Sequence, residues 1–235
     1  MYESYWQLTS KPFENDMDTR LYFGSDPHEA SLLKLRYLIE NRKGAGLLVG
    51  GTGLGKSYLL QVLREQLGDV QGPFVSLVFP QMSAAELLNS IAVELGSQED
   101  ETTSGIVGLD KVIRTIQQSL IAYNREGRHP VLVVDEAHLI EDLQVFQALR
   151  LLLNFHESGA RFSLILSGQR ELISRIHRIP QLEARLGVKC VLQGLSYEET
   201  MKYVSWRLQA AGAKRSLFEP EALDAVYELS GGIPR

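Results

Sequence analysis

The sequence predicts an α/β fold with a five-stranded parallel sheet flanked by helices, and three observations support this. Short runs of aliphatic and β-branched residues alternate along the chain with segments whose apolar residues have helical spacing. These runs are continuously apolar, which is typical of strands buried on both faces of a sheet. From Ser196 onward only helical patterns follow. We therefore expect an α/β domain over residues 1–194 and a small all-helical region over residues 195–235.

The individual elements follow in chain order. Residues 1–26 carry several aromatic side chains without a regular period, which indicates an irregular segment anchored on the domain by its aromatic rings. Residues 96–108 are rich in small, polar and acidic residues and are predicted to be an exposed loop. Strands are predicted at 45–49, 74–79, 131–135, 162–167 and 188–192. Helices are predicted at 28–41, 58–67, from Ser83 with a capping box to Glu86, and at 109–124, 143–156, 197–211 and 220–229.

A glycine-rich segment between the first strand and the second helix carries the most specific motif. Gly50, Gly55, Lys56 and Ser57 match G-x-x-x-x-G-K-[ST], the phosphate-binding P-loop. A strand, a glycine-rich turn and a helix N-terminus aim backbone N–H groups at one point, where a polyphosphate can be held. The nucleotide-binding residues predicted here are Gly50, Gly51, Thr52, Gly53, Leu54, Gly55, Lys56, Ser57 and Tyr58. Lys56 would reach the β- and γ-phosphates, and the Ser57 hydroxyl would ligate Mg²⁺.

Two acidic residues at the end of the third strand complete the pattern expected of an ATPase. Asp135 would hold Mg²⁺ together with Ser57, and Glu136 would act as the general base on the attacking water. His138 completes the letters D-E-A-H, which also mark a class of helicases. Because that class needs a second recombinase-like domain, we interpret His138 as incidental or as a minor local contact.

Composition restricts the partners and the cellular compartment that we expect for this protein. The net charge of −5 gives no global reason to expect nucleic acid, and the longest apolar runs are too short to span a membrane. Cys190 is the single cysteine, which suits a reducing compartment, and no signal peptide is visible at the N-terminus. We therefore expect a cytoplasmic protein.

The ordered set of motifs resembles the AAA+ ATPases, and more narrowly the ATPase domain of the general secretion pathway protein A (ExeA-like) family, which is related to the TniB/TnsC-type transposition ATPases. The resemblance covers nearly the whole chain. It rests on the opening MYESYWQLTSKPFEN and on GGTGLGKS, VDEAHLI, ALRLLLNF, SGQREL, LEARL, LSYEETMKYVSWRLQAAG and SGGIPR. Arg170 stands where the family usually has proline, and His156 where an acid is common.

This resemblance implies roles for further residues. Ser167 and Gln169 occupy the "sensor 1" position that helps orient the attacking water, and Arg235 resembles the "sensor 2" arginine of a helical lid. Arg185 resembles an arginine finger that serves the nucleotide of a neighbouring subunit, with Arg178 as a rival. The adenine pocket would be formed by Tyr22 and Phe23 with Pro234, although these aromatic residues fit a simple packing role equally well. Since the lid of this family continues with at least one more helix, the chain resembles a truncated form.

The resemblance implies an oligomeric ATPase, a ring or filament, that uses ATP and Mg²⁺ to drive conformational change. Protein partners of a secretion or cell-envelope system are the first interpretation. An ATP-dependent regulator of transposition that binds duplex DNA is the alternative, which the net charge of −5 disfavours. A nucleotide-dependent switch that hydrolyses slowly is a third.

Overall fold

The computed structural model describes residues 2–14, 17–68, 72–78, 81–96 and 108–235. Most of the predicted polar loop at 96–108, and Phe79 at the end of the second predicted strand, lie outside these described residues. The described helices are α1 (Tyr2–Trp6), α2 (Asp26–Glu40), α3 (Lys56–Leu67), α4 (Ala84–Glu94), α5 (Leu109–Arg125), α6 (Leu143–Leu152), α7 (Glu171–His177), α8 (Pro180–Glu183), α9 (Tyr197–Ala210) and α10 (Pro220–Ser230).

The described strands form one parallel sheet, which confirms the predicted fold class. They are β1 (Ala45–Val49), β2 (Phe74–Leu77), β3 (Val131–Val134), β4 (Ser163–Gly168) and β5 (Leu186–Val191). Their order across the sheet is β2-β3-β4-β1-β5. Each neighbouring pair is parallel.

The sheet lies between two helical layers, because successive residues of its strands point to opposite faces. On β3, Leu132 and Val134 join a core formed with α4, α5, α6, α7 and α8. Val131 and Val133 join a second core formed with α2 and α3. The alternation within one fully buried strand thus supplies both cores.

The prediction that the strands are buried on both faces is confirmed for the three middle strands and is wrong for the two edge strands. Every residue of β1, β3 and β4 is buried. In β5, half-buried or buried residues alternate with exposed ones, and in β2 Ser76 is exposed. An edge strand has a neighbouring strand on one side only and is less fully covered, so Lys189 and Val191 of β5 are exposed as well.

Several helix boundaries differ from the prediction. The helix predicted at 143–156 ends at Leu152 and continues as a 3₁₀ helix, Leu153–Ser158, which closes at Gly159 with φ +84°. The short helices α1, α7 and α8 were not predicted, because fewer than two or three turns show little periodicity. The capping box at Ser83 and Glu86 is present as predicted. No helix in the described part of the chain is long and apolar enough to cross a membrane.

The strand register decides where the loops meet. Val49 of β1 lies beside Gly168 of β4, and Val134 of β3 lies beside Leu166 of β4. The turns that follow β1, β3 and β4 therefore leave the sheet at the same edge. These turns carry the P-loop, the Asp135–Glu136 pair and Gln169.

Candidate functional site

The P-loop is a turn whose backbone depends on glycine at two positions. Gly53 and Gly55 have φ of +81° and +80°, a left-handed conformation that side chains disfavour. Gly55 precedes the first residue of α3, so the free N–H groups of the first helical turn open directly beside the loop. A Cβ at Gly53 would lie 2.8 Å from Ile233, which shows how closely the C-terminal residues pack over the loop.

Lys56 is held inside the loop rather than extended into solvent. Its Nζ donates to the carbonyl oxygens of Gly50 and Gly51, both at 3.1 Å. The side chain is 6% exposed and has backbone carbonyls as its hydrogen-bond partners. Within the described part of the chain this ammonium group has no carboxylate partner, which favours the approach of an anion because burial without counter-charge is costly.

Ser57 and Asp135 meet across the gap between the P-loop and β3. The Ser57 hydroxyl donates to Asp135 Oδ2 at 2.6 Å, although the two residues are 78 positions apart in the chain. Asp135 is buried, its Oδ1 accepts from the Glu136 N–H at 2.9 Å, and its own N–H donates to the Leu77 carbonyl. The carboxylate is thereby fixed by the main chain of the sheet.

These two oxygens fit a magnesium ion that arrives with a nucleotide. Mg²⁺ prefers oxygen ligands and usually keeps several waters, with one or two protein ligands and substrate phosphates completing its shell. The Ser57 hydroxyl and the Asp135 carboxylate are such ligands and already lie adjacent. Among the described residues, no group of three or more His, Cys, Asp or Glu side chains is arranged to hold a metal.

Glu136 follows Asp135 in a backbone conformation rare for a residue with a side chain. Its φ is +51° and ψ is 30°. Non-glycine residues in this region are strained, and such strain concentrates at functional sites. The turn directs the Glu136 side chain into the cavity described below, where Oε2 lies 3.3 Å from His138 Nδ1. His138 therefore has a local contact with Glu136, the residue predicted to act as the general base.

The two residues predicted at the end of β4 are separated by the structure. Gln169 lies in the cavity wall. Ser167 is fully buried within β4, its Oγ has no hydrogen-bond partner among the described residues, and it does not line the cavity. The two residues differ in their position along the strand. Ser167 still belongs to β4, inside the sheet, whereas Gln169 follows the last residue of β4.

A cavity of about 880 Å³ lies in front of the P-loop. This volume is within the range of small-molecule and cofactor sites. Its walls contain predicted site residues from five parts of the chain: Tyr22, Phe23, Thr52, Gly53, Gly55, Lys56, Ser57, Tyr58, Glu136, Gln169, Pro234 and Arg235. Gly50, Gly51, Leu54 and Asp135 lie behind this wall and contact it through the hydrogen bonds given above and below.

The N-terminal segment closes one side of the cavity. Tyr58 on α3 donates its hydroxyl to the Asp18 carbonyl at 2.7 Å. The Phe23 ring contacts Tyr203 and Trp206 of α9, with ring centroids 5.7 and 6.2 Å apart. The segment thus connects α3 to the C-terminal helices, so its aromatic residues both pack and line the cavity.

Arg207 on α9 fixes the same segment and was missed by the sequence analysis. Its Nε donates to the Pro12 carbonyl and its Nη2 to the Glu14 carbonyl at 2.9 Å. It is only 6% exposed, and it lines the cavity. No local signal marks this arginine, because its partners lie 193 or more positions away.

His28 is a second residue that the sequence analysis missed. Its Nε2 lies 2.8 Å from the Leu54 carbonyl and its Nδ1 lies 2.6 Å from Ser25 Oγ. With Nε2 donating to the carbonyl and Nδ1 accepting from the hydroxyl, both ring nitrogens are satisfied. The ring is buried and connects the start of α2 to the P-loop.

Arg185 lies away from the cavity, at the opposite edge of the sheet, where the parallel strands begin. It precedes β5, whose first residue Leu186 pairs with Ala45 at the start of β1. Its Nη2 donates to Asn154 Oδ1 at 2.5 Å. Arg178, its rival, is exposed at the end of α7. Arg185 therefore cannot reach the P-loop of its own chain.

Comparison with known proteins places this site in a family. The AAA domain family matches residues 39–176, more than half of the chain. The chain belongs to this family. General secretion pathway protein A of Aeromonas hydrophila is 31% identical over 239 residues, which cover 100% of this chain and 42% of that protein. The chain thus spans less than half the length of this relative.

Solved structures of AAA+ proteins share the fold. Cdc6p from Pyrobaculum aerophilum matches with a TM-score of 0.69 at 17% identity, over 97% of this chain and 58% of that chain. The Aeropyrum pernix ORC1 protein, in a complex with DNA, matches with a TM-score of 0.66 at 13% identity, over 94% of this chain and 60% of that chain. The resemblance to AAA+ ATPases of the general secretion pathway protein A type, stated from the motifs, is confirmed.

Replacing Arg207 tests the attachment of the N-terminal segment. Arg207→Gln removes the charged donors to the Pro12 and Glu14 carbonyls, and hydrogen bonds of charged groups contribute about 1.5–3 kcal/mol. We expect chymotrypsin to cleave within residues 2–23 about tenfold faster, while far-ultraviolet circular dichroism stays unchanged. The exposed Arg215→Gln is the matched control. Equal cleavage rates in both variants would contradict this attachment.

Proposed function

We propose that this chain binds ATP with Mg²⁺ in the cavity and hydrolyses it. One observation carries this proposal: the P-loop residues Lys56 and Ser57 and the acidic pair Asp135 and Glu136 converge at one edge of the sheet, with Ser57 and Asp135 already 2.6 Å apart. Membership of the AAA domain family supports it.

The chain's own residues divide the work of binding. The N–H groups of the P-loop and of the first turn of α3 would hold the phosphates. Lys56 would exchange its two carbonyl partners for the β- and γ-phosphate oxygens, and Ser57 and Asp135 would hold Mg²⁺, which supplies charge neutralisation when bound. Tyr22, Phe23 and Pro234 would enclose the adenine, since they line the same cavity.

Hydrolysis then depends on positioning and charge. Glu136 would accept a proton from the attacking water, and its constrained backbone keeps the carboxylate directed at the cavity. Gln169 would orient this water. Ser167 can contribute only through the backbone of β4, since its side chain is buried behind the wall. Arg235, in the wall beside Gly53, would neutralise charge on the transferred phosphate.

Nucleotide binding in this cavity would be coupled to a conformational change through the C-terminal helices. We propose that residues 1–194 form the nucleotide-binding domain and residues 195–235 part of a lid. The Tyr203 hydroxyl donates to the Pro234 carbonyl at 3.2 Å, so α9 and the C-terminal residues would respond together to an occupied site. Because the N-terminal segment is attached to both α3 and α9, it would transmit the movement.

The purpose of this ATPase is proposed from its relatives. Similarity over the whole chain to general secretion pathway protein A favours protein partners in a secretion or cell-envelope system. A DNA-dependent role is the second candidate, favoured by the motifs shared with transposition ATPases and by the fold shared with the ORC1 protein, whose structure is of a complex with DNA. A slowly hydrolysing switch is the third candidate, and the intact Asp135–Glu136 pair argues against complete inactivity.

Lys56→Ala and Glu136→Gln separate binding from chemistry. Lys56→Ala removes a charge-assisted contact to the phosphates and should weaken ATP binding about a hundredfold. Glu136→Gln keeps the binding contacts and should lower turnover by roughly 10²–10⁴-fold with near-normal affinity. Fluorescent-nucleotide titration and phosphate release measure the two quantities, with the exposed Lys202→Ala as control. Unchanged affinity in Lys56→Ala would remove the basis of the proposal.

A mixing experiment tests whether Arg185 acts on a neighbouring subunit. Lys56→Ala and Arg185→Ala proteins should each be inactive. A mixture would recover part of the turnover, because some interfaces then combine an intact P-loop with an intact Arg185. Lys56→Ala mixed with the Lys56→Ala/Arg185→Ala double variant is the control and should recover none. If the first mixture also stays inactive, Arg185 does not act in trans.

Turnover with and without duplex DNA at low salt distinguishes the two proposed roles. Indifference to DNA is expected for a secretion or envelope ATPase. Strong stimulation that disappears as salt rises would instead establish the DNA-dependent role, because phosphate contacts release counterions.

A further inference from the structure

A second cavity, of about 390 Å³, lies at the edge of the sheet opposite the P-loop. Its basic side chains are Arg42, Lys43, His156 and Arg185, and none of the described residues that line it is acidic. We call this cavity the basic pocket. It stands out because the whole chain carries a net charge of −5.

The floor of the basic pocket is made by two glycines. Gly44 has φ +84°, and a Cβ there would lie 3.7 Å from the Arg185 carbonyl oxygen and 3.8 Å from the His156 ring. A Cβ at Gly187 would lie 3.1 Å from both Cβ and the carbonyl oxygen of Lys43. Glycine at these two positions lets the loop after α2 pack closely against the start of β5, which brings Arg42 and Lys43 to the same cavity as Arg185.

The cations around the pocket lack a counter-charge among the described residues. No ion pair there involves Arg42, Lys43 or Arg185, and the partner of Arg185 is the neutral amide of Asn154. Arg42 and Lys43 follow the end of α2, where a helix dipole favours positive charge. That explanation does not extend to Arg185, which comes from a separate loop.

Two histidines report the positive potential at this edge. Burial lowers the pKa of His156, and Arg161 and Arg185 lower it further. Burial lowers the pKa of His129 to about 4, and Arg42, His156 and Arg161 act in the same direction. Burial is the main cause of both shifts, and the smaller electrostatic contributions come from basic side chains.

We infer that the basic pocket is a second phosphate-binding site, complete within one chain, that takes a phosphate or short polyphosphate group on Arg42, Lys43 and Arg185. Guanidinium and ammonium groups of residues that line one cavity suit phosphate oxygens. The P-loop edge and this edge are connected by β1, which lies between Gly44 and Gly50. The inference does not depend on ATP hydrolysis in the main cavity.

Pyrophosphate binding to the Lys56→Ala chain tests this site without contribution from the P-loop lysine. Isothermal titration at low salt should show saturable binding of one pyrophosphate per chain, weakening as salt screens the charges. Arg42→Ala/Lys43→Ala in the same background should weaken it by about tenfold or more, since it removes two charge-assisted contacts. Lys111→Ala/Arg114→Ala on α5 removes the same charge elsewhere and should leave binding unchanged.

The pKa of His156 provides an independent readout. A bound anion stabilises the imidazolium ion, so pyrophosphate should raise this pKa, followed by nuclear magnetic resonance, and the rise should vanish in Arg42→Ala/Lys43→Ala. Three results would overturn the inference: no saturable binding, equal loss in both double variants, or binding only at concentrations where the chain self-associates. Binding only under self-association would mean that Arg42 and Arg185 contact the anion only together with a neighbouring subunit.

Discussion

The parallel register of β1, β3 and β4 is the constraint on which the site depends. It brings the carboxyl ends of three strands to one edge, and with them the P-loop, the acidic pair and Gln169. The 2.6 Å hydrogen bond from Ser57 to Asp135 is the local result, joining residues 78 positions apart. Because all three strands are buried at every residue, a shift of register would displace core side chains on both faces.

Around this edge, polar and strained groups are held by the main chain. Carbonyl oxygens hold Lys56, an N–H holds Asp135, and Glu136 keeps a left-handed backbone. Each arrangement is costly unless the surrounding structure enforces it. A rigid sheet edge enforces it here, and this preorganisation suits chemistry that depends on positioning and charge.

The remaining walls of the cavity come from both ends of the chain. The N-terminal segment and α9 are joined by Arg207 and by the contacts of Phe23, and the C-terminal residues pack over Gly53. The cavity is therefore closed by elements that do not belong to the sheet. In the proposed ATPase, these elements would move with the nucleotide while the sheet edge stays fixed.

The sequence by itself determined the parallel sheet, most of the helices and the position of the P-loop motif between β1 and α3. Those features depend on residues that are close together in the sequence: the apolar periodicity, the capping box, and the P-loop motif, whose glycines and lysine lie within a few residues of one another. It did not determine which strands lie at the sheet edges, because the strand order depends on how the helices cross over. Nor did it reveal that Ser167 is buried, that His28 and Arg207 connect distant segments, or that Arg185 shares a pocket with Arg42 and Lys43. These relations join residues far apart in the chain, so only tertiary packing decided them.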